Sequence, residues 1–197
     1  MATDPRPGAT ARDLDATPDD GRIYEILDGQ MEAQPRPRPE HGRVEAGLSF
    51  DLFGPYDRGH GGPGGWWFLV EPEVALGSRD IVVPDLAGWR RERLPELPAG
   101  RIEVVPDWVC EVVSPSSRSR DRVHKSDLYL RSGVRHYWIV DPEARTFEAL
   151  EARDGVWVRL GGWTDGDAVR VAPFEAVEID VGGLFVPLPP ATSPEAP

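Results

Sequence analysis

The stretch from Trp108 to Asp141 constrains this chain more than any other. Trp-Val-Cys-Glu-Val-Val is an apolar run of strand length, Ser114-Pro115-Ser116-Ser117 breaks it, a charged segment follows, and Val134 to Val140 is a second apolar run. Short apolar runs bounded by turn residues read as buried strands. The charged segment between them, stopped by Gly133, reads as a helix from about Arg120 to Ser132, with Ser117 or Ser119 able to cap it. Glu111 stands inside the first run, where a carboxylate is costly unless a cation or hydrogen-bond donors compensate it. The helix carries Lys125, and of the 22 lysine and arginine residues all the others are arginine. Arginine is a fixed planar fork, whereas lysine is a compact ammonium whose pKa moves readily on desolvation.

At 197 residues the expectation is a single domain, placed over residues 21–186, between a flexible arm (1–20) rich in Asp, Pro, Ala and Thr and a flexible tail (187–197). No apolar run reaches membrane-spanning length, and the first residues lack the basic and apolar regions of a secretory signal. One cysteine excludes an internal disulfide and any multi-cysteine zinc site. The reading is a cytoplasmic protein. A net charge of −12 argues against a general nucleic-acid coat. The charge is uneven, because Arg118, Arg120, Arg122, Lys125, Arg131 and Arg135 face only Asp121 and Asp127. Such a strip can meet phosphate or form a solvated helix face.

Asp28-Gly29 and Asp154-Gly155 are two-residue hairpin signals, between Ile23–Leu27 and Gln30–Ala33 and between Thr146–Glu151 and Val156–Leu160. Pro35 to Pro39 is extended. Glu40 to Phe53 reads as a helix with Val44, Leu48 and Leu52 at four-residue spacing. Trp66–Val70, Glu73–Leu76 and Ile81–Val83 read as strands, the last running through Pro84-Asp85 toward Trp89. Val169–Val171 and Ala176–Ile179 read as further short strands.

Strand alternation places Val109, Glu111 and Val113 on one face and Trp108, Cys110 and Val112 on the other. Helical spacing places Asp121, Lys125 and Tyr129 in one row. A helix folded back over the strand would aim Lys125 at Glu111, and Asp85, at a strand end, could supply a second carboxylate. Two carboxylates with a backbone carbonyl and waters suit a hard cation such as magnesium or manganese.

Val83-Pro84-Asp85, Pro-Asp-Trp-Val-Cys-Glu-Val-Val-Ser-Pro-Ser, the spaced Asp121, Lys125 and Tyr129, and Gly-Val-Arg-His-Tyr-Trp-Ile-Val-Asp-Pro together resemble the Uma-two family of endonucleases, within the PD-(D/E)XK superfamily. Tyr-Glu-Ile-Leu-Asp-Gly and the Glu40-His41 helix start are similar to that family's N-terminal part. The resemblance spans about residues 22–186. It implies an α/β (α+β), restriction-endonuclease-like fold: a mixed β-sheet flanked by helices, with an N-terminal β-hairpin and additional C-terminal strands. It also implies a divalent-metal nuclease site. Asp85 matches the first metal-binding acid and Glu111 the second, while Val113 stands where the superfamily motif has its lysine. Lys125 resembles the migrated lysine of the Uma-two pattern.

The implied catalytic residues are Asp85, Glu111 and Lys125. Asp85, Glu111 and the Val112 carbonyl would hold Mg2+ (or Mn2+), and Lys125 would orient water or stabilise the developing oxyanion. Asp121 would hold Lys125, and Tyr129 would pack against the sheet. His41, Glu45 and Glu71 could approach the site, although a solvent-facing reading suits them better. The implied partner is nucleic acid, DNA rather than RNA, with no membrane and with room for a homodimer. A non-catalytic binding module on the same fold and a small phosphodiester hydrolase are the alternative readings. On this reading Lys125→Arg and Lys125→Ala lose cleavage in manganese to a similar extent while folding is kept, and an arginine variant as active as the wild type would return Lys125 to a surface role.

Overall fold

The computed structural model describes residues 8–114 and 120–188, with the backbone alone at Arg120 and Asp121. The helix cap expected at Ser117 or Ser119 lies outside the described residues. The Asp-Gly dipeptides turn the chain as their chemistry requires. Asp28 and Gly29 have φ of 50° and 75°, and Asp154 and Gly155 have 51° and 77°. This left-handed pair closes a tight hairpin whose twist matches the flanking strands. The first joins β1 (Ile23–Leu27) to β2 (Gln30–Gln34), and the second joins β9 (Thr146–Arg153) to β10 (Val156–Thr164).

Two sheets carry the architecture. The larger includes β3 (Trp66–Val70), β6 (Leu86–Arg90), β7 (Trp108–Val112) and β8 (His136–Asp141), in the order β10-β9-β8-β7-β6-β3. Its β7–β8 pair is parallel, Trp108 opposite His136 and Val112 opposite Val140, and its other pairs are antiparallel. A parallel pair needs a crossover, and the segment carrying Lys125 supplies it. The smaller sheet runs β2-β1-β5-β4, with β4 at Val74–Ala75 and β5 at Ile81–Val82. A third pair joins β11 (Ala168–Val169) to β12 (Ile179–Asp180), so residues 176–178, expected in a strand, precede it.

The strand expected to run from Ile81 past Asp85 is instead two strands in two sheets. Pro84 has no N–H to continue a ladder, and the chain changes sheet there, with Asp85 at the junction.

Helices cover both faces of the larger sheet. One short helix, α1 (Ala11–Asp15), belongs to the N-terminal segment, while α2 (Pro39–Leu52) lays Val44, Leu48 and Leu52 against Trp66, Leu86, Trp108, Cys110 and Val112. On the opposite face α3 (Ser126–Ser132) packs Leu128 and Tyr129 against Ala87, Trp89, Val109 and Val113. The alternation read from Trp108 to Val113 is therefore the observed one. The expected helix over 120–132 is two pieces: Arg120–Lys125 winds as a π-helix before α3 begins, and Gly133 ends it at φ 93°. The N-terminal arm also departs from expectation. Thr10 and Asp13 form a reciprocal capping box for α1, Leu14 is buried with Ile26 and Ile81, and the Ala9 N–H donates to the Gly29 carbonyl at 2.7 Å. Residues 1–7 lie outside the described part, as do residues 189–197 of the expected tail.

Phe174, in the connection between β11 and β12, is the aromatic hub of the α2 face. Its ring lies 4.8–5.4 Å from those of Tyr56, Trp66, Phe68, Trp108 and Trp138. Phe174→Ala removes a fully buried ring from a site walled by other rigid rings, so collapse is limited. It should cost about 3–5 kcal/mol in denaturant unfolding; a loss below about 1 kcal/mol would mean the C-terminal segment is not part of the cooperative core.

Candidate active site

The residues singled out by sequence lie at one end of β7, on both sides of the sheet. On the α3 face, Glu111 is 2% exposed, and its Oε1 accepts from Lys125 Nζ at 3.1 Å and from the Tyr129 hydroxyl at 2.5 Å. The expected approach of Lys125 to Glu111 is thus observed, and Tyr129, expected only to pack, is a donor as well. Burial and the neighbouring Glu111 and Glu25 carboxylates push the Tyr129 phenol well up, so it stays a donor at neutral pH. The Asp121 side chain lies outside the described part.

Lys125 has a second partner that the sequence reading missed. Glu25, in the middle of β1 and fully buried, places Oε1 2.8 Å from Lys125 Nζ. The same Oε1 accepts the Val83 N–H at 2.7 Å, and Oε2 accepts from the Gln34 side-chain amide. The available signal was the one that drew attention to Glu111: an acid inside an apolar strand run, here Ile-Tyr-Glu-Ile-Leu. Burial also corrects one expectation. Lys125→Ala would strand Glu25 and Glu111 with their shared cation removed, and breaking a buried pair in this way costs about 3–5 kcal/mol, so folding would not be left intact.

Asp85 lies on the other side of the same end. Asp85 immediately precedes Leu86, which is paired with Cys110 of β7. Asp85 Oδ2 accepts the Val112 N–H at 2.6 Å, and Oδ1 lies 3.0 Å from His41 Nε2, which is 3.5 Å from Glu45 Oε1. The helical pair His41 and Glu45 is therefore not solvent-facing. Their side chains are 14% and 13% exposed, because the stripe of Val44 and Leu48 that docks α2 turns the flanking positions 41 and 45 toward the sheet end. Glu71 borders them. Glu71 itself is exposed, as the sequence suggested; its N–H donates to the Asp85 carbonyl at 3.0 Å, and partial desolvation with the Glu45 and Asp85 charges raises its carboxyl pKa.

His41, Glu45 and Asp85 each bring one ligand atom within 4.8 Å of the others. His41 Nε2 and Glu45 Oε1 are buried without an aligned hydrogen-bond partner, despite the short separations. Charge rather than aligned hydrogen bonding holds them together, and a divalent cation would have to displace the His41 proton to take Nε2 as a ligand. Carboxylate oxygens suit magnesium and manganese, while an imidazole nitrogen moves the preference away from magnesium.

The basic strip fares differently. Arg122 pairs with Glu148 at 2.7 Å, Arg131 with Asp28 and Asp80 at 2.7 and 3.4 Å, and Lys125 is buried. Half of its six cations are thus held within the fold, and Arg118 lies outside the described residues.

This architecture, a mixed sheet with helices on both faces and acids gathered at one strand end, is a nuclease-like fold. It is shared with a solved structure described as a "putative nuclease belonging to DUF820" from Anabaena variabilis ATCC 29413. The TM-score is 0.70 at 17% identity, covering 89% of this chain and 96% of that one. The family Uma2, described as "Putative restriction endonuclease", matches residues 11–182. The chain belongs to that family. No curated protein matches it. Among the described residues, no helix is long and apolar enough to cross a membrane.

The acid cluster has a consequence for stability. Burial alone would lower the His41 pKa, but Asp85 and Glu45 outweigh it and raise it from 6.5 to about 10. A pKa raised in the folded state stabilises the fold fully below the unfolded value near 6.5, and that stabilisation is lost as pH rises through about 10. In EDTA, the unfolding free energy should fall by on the order of 1–3 kcal/mol over that interval, allowing for solvent screening. His41→Asn should flatten the slope in urea titrations, and identical slopes in both proteins would contradict the assignment.

Proposed function

We propose that this chain is a divalent-metal-dependent endonuclease that hydrolyses phosphodiester bonds of nucleic acid, with DNA preferred, in the cytoplasm. The carrying observation is the convergence of His41, Glu45 and Asp85, two of whose ligand atoms are buried without aligned partners, at the strand end that also holds Glu111 and Lys125. The family description, a restriction endonuclease, supports DNA as the substrate.

Asp85 is the shared ligand in this reading. Glu45 and His41 would hold the magnesium or manganese ion from α2 beside Asp85, while Glu111, expected with the Val112 carbonyl as a further ligand, holds Lys125 at the same strand end. When bound, the ion supplies Lewis acidity for water and for the scissile phosphate. The remaining work belongs to the chain. Lys125 and Tyr129 fix Glu111 Oε1 from one side, so the carboxylate approaches the strand end in one orientation. Asp85 is oriented by the Val112 N–H, which leaves its Oδ1 directed toward α2. The ammonium of Lys125, held in a water-poor environment, offsets negative charge gathering nearby far more effectively than it would in water.

The non-catalytic reading has one observation in its favour. Val113, at the superfamily's lysine position, is 2% exposed and packed in the apolar core, so the direct lysine geometry of the motif is absent. Supercoiled plasmid, single-stranded RNA and bis(p-nitrophenyl) phosphate, each incubated with magnesium, manganese or EDTA, separate the readings. Metal-dependent nicking of plasmid is expected, and Asp85→Asn and Glu111→Gln should each lower it by about 10²–10⁴. Metal binding by calorimetry without cleavage of any substrate would leave a binding module, and turnover of the small diester alone would leave a phosphodiesterase.

A further inference from the structure

Glu25 is the buried group that the proposed chemistry does not yet use. It lies in the smaller sheet, yet it touches the two parts of the site that come from elsewhere. One carboxylate oxygen meets Lys125 Nζ at 2.8 Å and the Val83 N–H at 2.7 Å. Val83 begins the Val-Pro-Asp junction at which the chain leaves the smaller sheet and delivers Asp85 to the larger. The other oxygen is held by the Gln34 amide from β2, so the carboxylate is anchored by its own hairpin. A fully buried acid is costly to desolvate and is kept in place by its partners, since removing one member of a buried ion pair strands the other. Its location gives it two partners in the site, because it contacts both Lys125 and the junction that leads to Asp85.

We infer that Glu25 is a positioning residue, which holds Lys125 beside Glu111 and fixes the Val83–Asp85 junction, so that both halves of the site are set by one carboxylate in a neighbouring sheet. The inference rests on the nuclease reading for its effect on rate, and on geometry alone for its effect on Lys125. Those two parts can be tested separately, because Lys125 is the chain's single lysine. Lysine labelled with carbon-13 at Cε gives one side-chain resonance, and it belongs to Lys125.

The test uses the full chain and the variants Glu25→Gln and Glu25→Asp. Glutamine keeps the shape and an acceptor for the Val83 N–H while removing the charge, and aspartate keeps the charge while shortening the arm. At fixed pH, Glu25→Gln should move the Lys125 Cε resonance, with the rest of the backbone amide spectrum changed only around β1, β5 and Lys125. In plasmid cleavage with manganese it should lower kcat roughly 10–100-fold, the range seen when a group that orients a catalytic ligand is lost, with KM unchanged within about twofold. Glu25→Asp should recover part of kcat. A purely structural role predicts something else: less folded protein, but normal kcat per folded molecule and no graded rescue. A folded Glu25→Gln protein with an unmoved lysine resonance would overturn the inference whatever its activity, and wild-type kcat in that variant would overturn the catalytic part. A wild-type chain that cleaves nothing with either metal would instead overturn the nuclease reading and, with it, the role of Glu25 in hydrolysis.

Discussion

The buried contact of one ammonium with two carboxylates is the interaction on which the rest of the structure depends. Lys125 ties β1 of the smaller sheet to β7 of the larger through Glu25 and Glu111, and it does so from the crossover that makes β7 and β8 parallel. Such a cluster stabilises the fold only when every member is present, because the desolvation cost of each charge is offset by the others. It therefore specifies more than it stabilises. A slip of β7 by one residue would turn Glu111 into the α2-face core around Phe174, whose buried members are aliphatic and aromatic side chains.

The second constraint is the junction at Pro84. A strand that changes sheets cannot carry its ladder through, and the proline removes the donor that would otherwise be left unpaired. The acid that follows is consequently not a member of a strand interior, where its side chain would be boxed in. It sits at the mouth between the two sheets, satisfied on one side by the Val112 N–H and turned on the other toward α2. The first turns of α2 bring an imidazole and a carboxylate to that mouth on the same docking stripe that fills the core.

Much of this was legible from residues alone. The alternation through Trp108–Val113, the two Asp-Gly hairpins and the meeting of Lys125 with Glu111 follow from local periodicity and turn chemistry, which the chain encodes within a few residues. What escaped depends on long-range placement. Glu25 lies 100 residues from Lys125, and nothing local says that their strands and helix converge. His41 and Glu45 look like an ordinary exposed helical pair until the neighbouring sheet end is known. Phe174 stands in a connection with no periodicity, and its burial comes entirely from partners on other elements. The arginines of the charged helix suggested a phosphate-facing strip, yet Arg122 and Arg131 meet carboxylates contributed by distant hairpins.

The use of arginine everywhere except at position 125 has a practical side. Reagents that modify ε-amines find no other side chain on this protein, and that one is 2% exposed. A protease specific for lysine likewise has one bond to cut, and it lies beside the closed charge cluster. Nicking at that point therefore times the opening of the cluster that Lys125 makes with Glu25 and Glu111, and amine labelling does the same once reaction at the α-amine is subtracted.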